Sequence, residues 1–133
     1  MNLNDAIKAW ESAIERLDKM RSEQIGAVDA VYWKETHVDR ARHAILFNLL
    51  ETGTNEARRK LERDQALYDD PEYQSLLVEL QGLRSALTVA NAEVEYASRL
   101  CTLGEWRVRT IQLTQKEDNS GDETRAASHS AGG

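Results

Sequence analysis

From Leu76 to Ile111 apolar and small residues recur at alternating steps of four and three: Leu76, Leu80, Leu83, Leu87, Ala90, Val94, Ala97, Cys101, Gly104, Val108 and Ile111. Ten such steps in succession define a heptad seam along one side of an α-helix. A helix with that seam must bury it against another helix, which confines the chain to an all-α architecture of paired helices. One set of positions reads Leu83, Ala90, Ala97, Gly104, so the seam narrows in its middle and admits a close partner. Glu95–Arg99 and Glu105–Arg109 are i→i+4 pairs that support the exposed side by about 0.2–0.5 kcal/mol each.

Pro71 fits the first turn of the seam helix, with Asp69 or Asp70 as its cap. Read over residues 71–115, this helix is about 65 Å long at ~1.5 Å per residue. Upstream, Leu3, Ile7, Trp10, Ile14 and Leu17 share a helical stripe, predicting a helix from Leu3 to about Gln24. Val28, Val31, Tyr32, Val38, Ala41, Ile45 and Leu49 carry the period on to about Glu51, with Gly26 either bending the chain or tolerated. Thr52-Gly53-Thr54-Asn55 reads as a stop and restart: Gly53 suits a left-handed helix C-terminus, and Thr54 or Asn55 caps the next helix. That helix is short and charged, with Ala57, Leu61 and Tyr68 on its inner side.

The arm (3–51) and the long helix (71–115) match in length, with the turn and short helix at 52–70 between them. The expected architecture is therefore an antiparallel helical hairpin over residues 1–115, like a coiled-coil bundle. It sets Trp10 near Val108 and Ile111, and residues 32–38 near the middle of the long helix. So thin a hairpin leaves apolar residues over, which predicts a homo-oligomer held through the seam. Residues 116–133 are polar and rich in Ser, Gly and Ala, and read as a disordered tail.

The single Cys101 excludes an internal disulfide and fits a reducing compartment. No apolar run approaches the ~20 residues of a membrane span, and Met1-Asn2-Leu3-Asn4-Asp5 lacks a signal peptide's basic and apolar regions. The expected location is the cytoplasm. There is no GxGxxG, P-loop, HExxH or CxxC motif, so neither an enzyme nor a cofactor is expected. Glu35, Asp39 and His43 share a helix side where a metal site is conceivable, but a solvated polar surface is the plainer reading and no metal is expected.

Seventeen Lys and Arg stand against 23 Asp and Glu, a formal charge of −6. Nucleic acid must then be met by a local patch, or by an oligomer that repeats one. Three clusters qualify: Trp106, Arg107 and Arg109 with Arg99; Tyr32-Trp33-Lys34 continuing to Arg40, Arg42 and His43; and Arg58, Arg59 and Lys60 with Arg63. Aromatic rings beside cations suit single-stranded nucleic acid. The same tryptophans equally suit packing at a helix or subunit contact.

The stretch from Asp39 to Gln115 resembles the phage recombination mediator proteins of the UvsY type. The resemblance lies in Asp39-Arg40-Ala41-Arg42-His43-Ala44, the turn Gly53-Thr54, then Asn55-Glu56-Ala57-Arg58-Arg59-Lys60. The long Ala/Leu/Glu helix and its ending Gly104-Glu105-Trp106-Arg107-Val108-Arg109-Thr110-Ile111-Gln112 complete it. It implies a non-enzymatic, self-associating accessory that binds single-stranded DNA and contacts a recombinase and a single-strand-binding protein. By the same resemblance, Arg40, Arg42, His43, Arg58, Arg59, Lys60, Trp106, Arg107 and Arg109 become DNA contacts. The alternative is a coiled-coil protein–protein interaction module, such as a phage assembly factor, scaffold or anti-defence factor, that binds no DNA.

Overall fold

Three helices follow one another, α1 (Leu3–Phe47), α2 (Glu56–Asp69) and α3 (Pro71–Ala131), in a computed structural model that describes the backbone of residues 1–131 and the side chains of residues 1–119. The fold is all-α, with no strand among the described residues. Each helix starts on a side-chain cap. Asn2 Oδ1 accepts from Asp5 N at 2.9 Å, Asn55 Oδ1 from Arg58 N at 2.9 Å, and Asp70 Oδ1 from Tyr73 N at 2.8 Å. These bonds satisfy backbone donors that the first turn of a helix leaves unpaired.

The chain divides into two units, Met1–Arg21 with the residues from Glu93 onward, and Ser22–Ala92. In the second, Val31, Val38, Tyr73 and Leu80 form a buried core, flanked by Ala41, Ile45, Leu67, Leu76, Leu83 and Leu87. Its α1 and α3 stretches run antiparallel: Gln24 Nε2 donates to Asn91 Oδ1 at 2.8 Å, while Lys34 Nζ meets Glu79 at 2.8 Å. In the first unit Ala6, Leu17, Ala97 and Val108 are buried. There Trp10 lies against Gly104 and the Arg16 guanidinium stands 5.7 Å from the Tyr96 ring centre, so this pairing is antiparallel as well.

Every seam residue from Leu76 to Ile111 is buried or half-buried. Tyr73, one step earlier, joins them at 8% exposure. The inner side of α1 differs from the expected one. It runs Leu3, Ala6, Trp10, Ala13, Leu17, Met20, Gln24, Ala27, Val31, Lys34, Val38, Ala41 and Ile45, all buried or half-buried. Ile14, Val28 and Tyr32 stand outside it and are exposed.

Several further expectations are corrected. Gly26 is tolerated within α1, the second of the two expected outcomes, but the helix ends at Phe47 rather than near Glu51. Trp10 meets Gly104, one turn short of Val108, and Val31–Val38 lie against the first turns of α3 rather than its middle. On α2 the side turned inward carries Leu67, while Leu61 and Tyr68 are exposed. Among the described residues no glycine has a positive φ. Gly53 is needed for space instead: a Cβ there would stand 2.9 Å from the Arg59 backbone N and 3.1 Å from the Arg58 carbonyl carbon. In place of the expected disordered tail, α3 continues from 116 to Ala131, and residues 132–133 lie outside the described residues. No proline comes after Pro71 to break the helix.

Candidate nucleic-acid interface

On α1 the residues Trp33, Arg40, His43 and Phe47 fall at steps of seven, three and four, which places them on one side of the helix. That side points away from the core built on Val31 and Val38. Trp33 is 60% exposed and Phe47 90%. Tyr32 packs edge-on against Trp33 with ring centres 5.6 Å apart. His43 Nδ1 donates to the Asp39 carbonyl at 2.6 Å, which holds the ring toward the preceding turn. Arg40 and Arg42 are exposed, and among the described residues neither forms a salt bridge. Lys34 is withdrawn from this cluster by Glu79.

The cluster after the turn sits on the first turns of α2. Arg59 pairs with Glu56 at 3.4 Å, and Arg63 bonds the same Glu56 and reaches Glu51 at 3.4 Å. The hydrogen bond from Arg63, then its charge, holds the Glu56 carboxyl below the ordinary carboxylate range. Two carboxylates therefore screen this cluster, leaving Arg58 and Lys60 as its exposed cations outside salt bridges among the described residues.

At the ending cluster Trp106 is 66% exposed. Trp106 and Arg107 border an open groove of about 540 Å³ with Met1, Thr110 and Ile111. Arg109 is paired with Glu105 at 2.6 Å, and Arg99 with Glu95. Two of the three arginines of this cluster are thus already countered.

The structure brings Arg40, Arg42, His43, Arg58, Arg59 and Lys60 into one unit and sets Arg99, Trp106, Arg107 and Arg109 in the other. Sequence reasoning misses Phe47 as a partner of Trp33 and Arg40, although its seven-residue spacing from Arg40 is an available signal. Cys101 is a half-buried free thiol in the seam. Among the described residues no three His, Cys, Asp or Glu side chains are grouped to hold a metal ion, and Glu35 is engaged by Arg84 at 3.1 Å. Nor is any helix there long and apolar enough to cross a membrane. No family model matches the chain, and no curated protein or solved structure matches it.

Proposed function

We propose that this chain is a non-enzymatic accessory of phage recombination or replication, a mediator that binds single-stranded DNA along the outer side of α1. The observation that carries the reading is the row Trp33, Arg40, His43, Phe47, in which two exposed rings bracket a cation and an imidazole. Bases stack on such rings for about 1–3 kcal/mol each, whatever their sequence. Arg40 and Arg42 are free to displace counterions from phosphates, which makes the binding salt-sensitive. With a net charge of −6 a single patch binds weakly, and self-association multiplies it without new contacts. The recombinase and single-strand-binding protein enter as partners through the resemblance of residues 39–115. The test is fluorescence anisotropy of labelled oligo-dT. Binding that falls steeply with salt and drops in Trp33→Ala and in Arg40→Ala supports the reading, whereas binding unchanged in both variants removes it.

A second reading is favoured by the apolar side chains left in solvent, among them Ile25, Leu61, Val78 and Leu113. It makes the chain a helical protein–protein interaction module, such as an assembly factor, scaffold or anti-defence factor, and predicts no oligo-dT binding even at low salt.

A further inference from the structure

We propose that the outer side of α3 between Glu93 and Arg109 pairs antiparallel with the same surface of a second copy, about a two-fold axis between Arg99 and Leu103. The proposal rests on the self-association in the mediator reading, and it moves Trp106, Arg107 and Arg109 from DNA contact to subunit contact.

Tyr96, Arg99, Leu103 and Trp106 fall at steps of three, four and three. This is the spacing of the inner seam displaced by two residues, which at ~100° per residue puts the row on the opposite side of the helix. Tyr96 is 55% exposed, and Leu103 and Trp106 are exposed beside it. Single exposed apolar residues are ordinary, but a row at heptad spacing is what one helix offers another. The inner seam cannot serve, because in this unit Trp10 of α1 already lies on Gly104. Ala9 and Ala13 of α1 border a groove with Leu100 and Leu103, and their small side chains leave room for a neighbouring helix.

The charges beside the row choose the occupant. Set two copies of α3 antiparallel with Tyr96 opposite the copy's Trp106. Arg99 then lies opposite Leu103, and the axis passes level with Cys101. On one flank Glu93 faces the copy's Arg107, and on the other Glu95 faces the copy's Arg109. The two-fold axis repeats each pair, because an isologous contact uses the same residues twice. Sliding the copies by one heptad, so that Tyr96 meets Arg99, sets Glu93 against Leu100 and Glu95 against Thr102, and all of these ion pairs are lost. Charges flanking a helical seam fix orientation and register in this way. Among the described residues Glu93 and Arg107 form no salt bridge within the chain, so both remain available. Glu95 and Arg109 already pair along α3 with Arg99 and Glu105, and in the dimer they are shared.

The experiment is sedimentation equilibrium of the full chain and of charge-reversed variants, with helicity followed by circular dichroism. Wild type should self-associate beyond the 15.1 kDa chain mass. Glu93→Arg alone and Arg107→Glu alone should each weaken association by about tenfold or more, since each sets like charges against each other. The double variant Glu93→Arg/Arg107→Glu restores opposite charges and should recover association. Trp106→Ala should weaken it with helicity unchanged. A monomeric wild type, single reversals that associate like wild type, or a double variant that does not recover would each overturn the proposal. Trp33→Ala separates the two ideas: it should lower oligo-dT binding and leave the sedimenting mass as it is.

Discussion

The Trp10 side chain closes over the backbone of Gly104: a Cβ on Gly104 would stand 3.1 Å from Trp10 Cδ1 and 3.2 Å from Trp10 Cα and Cβ. Two of those atoms are a side chain's far part and its root, but the third belongs to the α1 backbone and cannot swing away. A large side chain here has to push the helices apart. Gly104→Leu is expected to lower stability by about 1–3 kcal/mol, as overpacking of a fitted contact does. Urea denaturation followed by helicity measures it, and a Gly104→Leu protein as stable as wild type would mean that Trp10 does not sit there.

Gly26 and Gly82 make the opposite case. Both lie inside helices, and nothing stands within 4 Å of a Cβ built on either. A glycine in a helix interior costs backbone entropy without return at such a site. Gly26→Ala and Gly82→Ala should each raise stability by about 0.5–1 kcal/mol. Thermal melts of the two single variants and the double variant check this, since sites without shared contacts should add. A drop in melting temperature for either would contradict the open space around it.

The contrast between α3 and α1 shows how far apolar spacing reaches. On α3 the seam positions are apolar or small and many of their neighbours are polar, so the four-three spacing names the buried side correctly. The period also extends to Tyr73, which is easily discounted because it lies only two residues past the turn-forming Asp70-Pro71. On α1 two stripes compete. Ile7 and Ile14 are larger than Ala6 and Ala13, so apolar patterning prefers them, yet Ala6 is buried and Ile14 is 40% exposed. Size misleads where helices approach closely, because a narrow contact selects alanine. The basic clusters are legible as clusters, and spacing names the Glu95–Arg99 and Glu105–Arg109 pairs. That Glu56 takes both Arg59 and Arg63 depends on rotamers that spacing alone leaves open. Gly53 looks like a residue chosen for backbone freedom, whereas its constraint is the room beside Arg58 and Arg59.

The start of α2 should respond to acid. The Arg63 hydrogen bond and charge hold the Glu56 carboxyl below its ordinary value of 4.5, so the folded chain favours the ionised form. Such a group stabilises the fold above the unfolded-state value, and that contribution is lost as pH falls through the lower folded value. Glu56 is exposed and Arg63 only half-buried, so the effect is small and salt-sensitive. Glu56→Gln should be slightly less stable than wild type at neutral pH, and the difference should shrink on acidification below pH 4.5. Denaturation midpoints of the two proteins across that range decide it. A gap that widens in acid would contradict the Arg63–Glu56 pairing.

The row of Trp33, Arg40, His43 and Phe47 on α1 carries the functional account, and oligo-dT anisotropy tests it most directly. Wild type should bind at low salt and lose affinity steeply as salt rises, because phosphate contacts release counterions. Trp33→Ala should cost about 1–3 kcal/mol of binding through lost stacking. Binding that is absent at low salt, or that is untouched in both Trp33→Ala and Arg40→Ala, would contradict the account.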